Sequence, residues 1–184
     1  MNRFAKYFAL MLVGLSLLIS GTAIAQDGGL ERGAAYIAPL KTELVQALMA
    51  GMEEGPLNAI GVCKDQAPAI TDSLSKEGVQ IGRTSHRLRN PANSAPEWVN
   101  PVLESYLDDN SNRAPTLVHL PNDRLGYVEA LVTQALCLGC HGQSLAPDVA
   151  AQLESLYPED KATGFDVDDL RGVVWVEFPA ATTD

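Results

Sequence analysis

The chain has 184 residues, 46% of them hydrophobic, with 13 Lys and Arg against 23 Asp and Glu, a size that fits one ordinary domain with its own core. The formal charge of −10 excludes a nucleic-acid or anionic-lipid surface, because binding phosphate requires Lys and Arg to displace counterions. No repeat, heptad run or low-complexity block is present, which excludes solenoids and long coiled coils.

At the N-terminus, Arg3 and Lys6 precede an apolar run from Phe8 to Ile19, and Ala23-Ile24-Ala25 has the small-x-small pattern of a signal-peptidase site. The run is too short to cross a bilayer, which takes about 20 residues. Residues 1–25 are therefore read as a cleavable export signal and residues 26–184 as a single domain delivered to the periplasm. Export makes the cysteine count informative. Cys63, Cys137 and Cys140 are three thiols in an oxidising compartment, and an odd number cannot all pair internally.

In chain order, Ile37, Leu40, Leu44 and Leu48 recur at helical spacing and predict a helix from Glu31 to about Met52. Gly55-Pro56 breaks it and opens a second helix carrying Ile60, Cys63, Ala67, Ile70 and Leu74 on one stripe, ended by Gly78. Pro68 is expected to kink it. Val79 to Leu88 reads as a strand, with Arg83, Ser85, Arg87 and Arg89 on one face and Thr84, His86 and Leu88 on the other. Ser94-Ala95-Pro96-Glu97 has capping-box spacing for a helix through Asp108, with Pro101 disturbing its first turns. Thr116–Leu120 and Gly126–Thr133 are strand-like around the turn Pro121-Asn122-Asp123 and predict a hairpin. A helix over Pro147–Leu156 and a strand over Gly172–Phe178 follow. Helices first and strands later predict an α+β domain with an antiparallel sheet.

Cys137-Leu138-Gly139-Cys140-His141 is the attachment sequence of a c-type haem. Two thiols at this spacing add to the two vinyl groups of one porphyrin, and the adjacent histidine lies under the iron as proximal ligand. A tetrahedral zinc site would need a second ligand pair, which is absent, and a thioredoxin-like disulfide would need a βαβ setting. One covalent haem also resolves the odd cysteine, leaving Cys63 as the free thiol. Cys63 is then either a small apolar residue of a buried stripe or the second axial ligand, as thiolate. No methionine follows Met52, while Met49 and Met52 sit at a helix end, and His86 and His119 lie on or beside strands. Cys63 leads this set, with an open or water-bound position next.

These residues, taken with Cys63-Lys64-Asp65-Gln66-Ala67-Pro68, Ile81-Gly82-Arg83-Thr84-Ser85, Leu88-Arg89-Asn90-Pro91-Ala92-Asn93, Tyr157-Pro158-Glu159-Asp160-Lys161-Ala162, Gly164 and Arg171-Gly172, resemble a known family. It is the periplasmic c-type haem sensor domains of PAS-like fold, found at the front of bacterial sensor kinases and as free-standing soluble proteins. The resemblance implies an antiparallel sheet flanked by helices, one covalent haem, and Cys/His ligation of the iron, which falls here on Cys63 and His141. His86 departs from the pattern, standing where a non-coordinating residue is expected, and is a competing ligand. No kinase module follows in this sequence, so a free-standing member is expected.

Haem propionates need cationic partners, and Arg83, Arg87 and Arg89 share the predicted strand face; Arg83 lies in the resembling block and is the leading candidate. Asp166, Asp168 and Asp169 lack the spacing of a calcium loop and read as a solvated turn. The expected function is a soluble periplasmic monohaem cytochrome for redox or ligand sensing, or for low-potential one-electron transfer. Its partner is a redox protein or a small diatomic ligand. A gas-binding four-helix bundle of the cytochrome c′ type is the alternative, and a peroxidase-like enzyme a more remote one.

Overall fold

The computed structural model describes residues 20–179 of the chain, and the side chains of residues 28–179. Its helices and strands, in chain order, are α1 (Ser20–Glu53), α2 (Pro56–Leu74), β1 (Gln80–Thr84), α3 (Asn100–Asp108), β2 (Thr116–His119), β3 (Leu125–Val132), α4 (Leu138–His141), α5 (Pro147–Leu156) and β4 (Leu170–Phe178). The strands form one antiparallel sheet in the order β1-β4-β3-β2. This is the α+β architecture expected, and the sheet rules out the four-helix bundle. Most of the expected export signal lies outside the described residues.

The last strand is the centre of the sheet, and its alternation builds two cores. Val174, Val176 and Phe178 point to one face, where they meet Ile37 and Leu40 of α1 together with Val79, Ile81 and Tyr127. Leu170, Val173 and Trp175 point to the other, with Val102, Leu103 and Tyr106 of α3 and with Val128. Because both faces are covered, β4 is buried along nearly its whole length and reads as an almost continuous apolar run. A third cluster joins Ile60 of α2 to Val149 and Leu153 of α5 and to Tyr157, with Cys140 packed against it.

Several boundaries differ from the sequence expectation. α1 begins well before Glu31; Gly29, ahead of the expected start, lies against Leu117, and Gly33 within it lies against the Tyr127 ring. Docking on the sheet outweighs the poor helix propensity of glycine. α2 stops at Leu74 and carries Pro68 without being ended by it. The first strand does not reach Leu88. The Ser85 hydroxyl donates to the Arg171 carbonyl at 2.7 Å and accepts from the Arg87 amide at 3.0 Å, which turns the chain out of the sheet after Thr84. Ser94 does not cap a helix; its hydroxyl donates to the Pro91 carbonyl, and a short 3-10 turn over Glu97–Val99 leads into α3. The hairpin and α5 stand as expected, while β4 begins at Leu170, two residues before the expected Gly172.

A Cβ on Gly33 would run into the Tyr127 ring, itself only 1% exposed. Gly33→Ala gains up to about 1 kcal/mol of helix propensity, but repacking a closed core costs about 1–3 kcal/mol. The expected outcome is a lower urea midpoint at unchanged slope; a raised midpoint would show that the ring has room to yield.

Candidate functional site

Beyond β3 the chain makes a 3-10 turn over Ala135–Cys137 that runs directly into α4. Helical spacing places Cys137, Cys140 and His141 as neighbours, since residues three and four apart share a side of the turn. All three cysteines of the chain are free thiols of intermediate burial. Among the described residues, no three His, Cys, Asp or Glu side chains converge as a metal site would require.

His141 is held from two sides. Its Nδ1 lies 2.7 Å from the Ala162 carbonyl, which can only accept, so Nδ1 carries the proton and Nε2 keeps its lone pair. Its own carbonyl accepts from the Phe165 amide at 3.0 Å, and Gly142 and Phe165 pair as a short parallel bridge. Burial lowers the imidazole pKa from its ordinary 6.5 to about 3, with the charges of Arg171 and Arg89 adding to it and the Ala162 bond opposing it. The ring is therefore neutral at physiological pH, the form in which histidine ligates a metal.

The acceptor is itself fixed by Arg89. This guanidinium pairs with Asp160 at 2.9 Å and donates to the carbonyls of Cys140 and Ala162. Both side chains of the pair are nearly closed off, at 13% and 10% exposed. Asp160 in turn accepts from the Ala162 amide at 2.7 Å, and the Lys161 amide donates to the Leu88 carbonyl. Arg89 is thus a positioning residue for α4 and does not stand on a strand face with Arg83. Arg87 turns elsewhere too, donating to the carbonyls of Thr163 and Gly164 at 3.1 Å, over the Phe165 ring.

Cys63, on α2, is brought to the same place. Burial pushes its thiol pKa up, the nearby Arg83 pulls it down, Cys140 raises it and Arg89 lowers it. Arg83 stands in β1, two residues after Ile81 and so on the face that α1 and α2 cover. Tyr157 completes this group, under the Arg89 guanidinium at 6.0 Å. The structure thus collects Cys63, Arg83, Cys137, Cys140 and His141 at one end of the domain. His86 is placed apart: it is exposed, its ring meets Phe165 edge-on at 5.7 Å, and Phe165 is shared with His141 at 6.4 Å. It faces a groove of about 460 Å³ on the α3 side, lined also by Leu88, Leu103 and Glu104, which includes none of the cysteines. Met49 is exposed on α1, and His119 is exposed at the end of β2.

The Tll0287-like family model matches residues 22–179. The chain belongs to the Tll0287-like family. Among solved structures, it is similar to one described as the crystal structure of the cyanobacterial haem protein Tll0287. The two are 22% identical, with a TM-score of 0.61 over 79% of this chain and 93% of that one. At that identity the likeness shows the shared fold. No curated protein matches. Within the Tll0287-like domain, sequence reasoning missed Asp160, Ala162, Phe165 and Arg171 as site residues, although the blocks Tyr157–Ala162 and Arg171-Gly172 stand out in the sequence.

The unfolded chain protonates His141 near pH 6.5, whereas the folded, metal-free protein does so only near pH 3. Between those values unfolding takes up a proton, so acid destabilises the fold, by at most about 1.4 kcal/mol per pH unit. His141→Asn should flatten this slope of stability against pH. Arg89→Met leaves Asp160 buried without its partner and should lower stability by about 3–5 kcal/mol, read from denaturant unfolding.

Proposed function

We propose that this chain is an exported, periplasmic monohaem c-type cytochrome. The observation that carries the reading is the pairing of two free thiols on one helical turn with a neutral His141 whose Nδ1 is committed to Ala162. That donor set fits a porphyrin and leaves Nε2 for the iron. A structural zinc ion would need four closing ligands. The description of the solved neighbour as a haem protein supports the same cofactor here.

In this reading Cys137 and Cys140 would hold the porphyrin through two thioethers, each thiol supplying its S–H to one vinyl group with no leaving group. His141 would ligate the iron, and Ala162 fixes its tautomer, as outer hydrogen bonds commonly do for metal-bound imidazole. Cys63 would be the second ligand; burial raises its thiol pKa, and the Arg83 charge works against that rise. Arg83 also serves as a propionate partner. The bound haem supplies one-electron iron chemistry. A thiolate donates electron density and holds the ferric state, which favours redox or diatomic-ligand sensing, or low-potential electron transfer to a partner protein. Exchange at Cys63 would be felt directly by α2, which packs on both α1 and α5. No helix among the described residues is long and apolar enough to cross a membrane, in keeping with a domain released after export.

Intact mass of protein exported with a c-type maturation system tests the reading. The expected result is one added haem, lost in the Cys137→Ala/Cys140→Ala double variant. An unmodified mass in the wild type would overturn it. Optical and electron paramagnetic resonance spectra of Cys63→Ser test the second ligand; a ferric spectrum identical to wild type would remove Cys63 from the iron.

A further inference from the structure

Four arginines gather around the haem-attachment turn, and their partners divide them. Arg89 and Arg87 are occupied by Asp160 and by backbone carbonyls. Arg83 and Arg171 have no carboxylate or carbonyl within hydrogen-bond distance of their guanidinium groups among the described residues, although both are largely withdrawn from solvent. Asp160, the carboxylate whose charge reaches Arg171, is already bound to Arg89. A half-buried cation without an anion is costly, so this end of the domain carries positive charge waiting for a counter-charge.

The placement of Arg171 is built into the sheet. Leu131 pairs with Gly172 and Val132 with Leu170, so Arg171 is the unpaired residue of a β-bulge. The bulge shifts the alternation of β4: Leu170 and Val173 both belong to the α3 core, and Arg171 is carried out of it. A straight strand would lack this extra residue. The strand bonded to the bulge is the one that leads, through Thr133 and Gln134, into the Cys137 turn, and the Thr133 amide donates to the Asp169 carbonyl at 2.8 Å. The guanidinium is then steadied over the Phe165 ring at 5.1 Å, the same ring that touches His141. Stacking on an aromatic ring leaves the edge N–H donors of arginine available for a planar carboxylate.

We infer that Arg171, held out by the bulge and stacked on Phe165, forms with Arg83 a seat for the carboxylates of the haem propionates. The inference rests on the covalent-haem reading and adds to it the anchor that orients the far edge of the porphyrin. It assigns Arg171 as a haem-binding residue and Phe165 as its positioning residue. Removing a cation beside the haem stabilises the ferric form, which carries one more positive charge.

The test uses the holoprotein in three forms: wild type, Arg171→Gln, and Arg32→Gln, an equal charge change on α1 where Arg32 stacks on Phe178. Intact mass is read first, followed by midpoint potential and the propionate carboxylate bands in ferric-minus-ferrous infrared difference spectra. The expected result is that Arg171→Gln keeps the haem, shifts the propionate bands and moves the ferric-to-ferrous equilibrium by about threefold to tenfold toward ferric, with Arg32→Gln changing neither. Unchanged bands and potential in haem-loaded Arg171→Gln overturn the seat and leave the cytochrome reading intact. Absence of haem mass in the wild type overturns both. Should Arg171→Gln fail to accumulate, Arg171→Lys decides. It keeps the charge, and hence the potential, but loses the two-pronged contact, so its propionate bands must move; if they do not, the seat is overturned.

Discussion

Three stretches of chain that are far apart in sequence meet at the guanidinium of Arg89. One of its nitrogens is paired with Asp160, and another reaches the carbonyls of Cys140 and Ala162. Everything specific about the site depends on this junction. The Ala162 carbonyl fixes the proton of His141, so the lone pair that would face a metal is set by an ion pair two bonds removed. The low exposure of both partners keeps the interaction from being screened by solvent, and it also makes loss of either partner expensive. The domain thus has a rigid anchor on one side of its cysteine turn and the α2 thiol on the other.

Much of this was legible in the sequence because the signals were local. Spacing alone showed the hairpin, α5 and the last strand, and Cys137–His141 stood out as a motif. Cys63 emerged from an odd count, and the fold does bring it beside Cys140 and Arg83. The misreadings share a cause. The alternation from Val79 to Leu88 suggested one strand with three arginines on a face, but a hydroxyl hydrogen bond from Ser85 to Arg171 ends that strand, and each arginine then goes its own way. Such a bond crosses 86 residues of sequence, and no periodicity can anticipate it. The block Tyr157–Ala162 stood out, but the roles of Asp160, Ala162 and Phe165 did not, since they exist only once the loop before β4 lies against α4. The early start of α1 was hidden because Gly28 and Gly29 argue against helix until Leu117 is known to lie against Gly29.

The electrostatics of the domain are divided. A chain of net charge −10 nonetheless collects four arginines at the end of the sheet that carries its thiols. Burial pushes Arg171 down to about 10, with repulsion from Arg89 and Arg83 partly offset by Asp160. A protein stabilised only by its own contacts gains little from such crowding. The acidic exterior keeps this basic interior from attracting polyanions.

The position of β4 in the sheet has a further consequence, for the order of events as the chain is made. Synthesis proceeds from the N-terminus, yet β4, the last of the described strands, is the one that β1 and β3 both pair with. Until it emerges, β1 has no neighbour, neither core can close, and the contacts that remain to be made are of high sequence separation and so slow to form. Throughout that interval the turn at 137–141, which follows β3, has no closed core behind it. The topology thus makes arrival of the central strand the step that closes both cores at once.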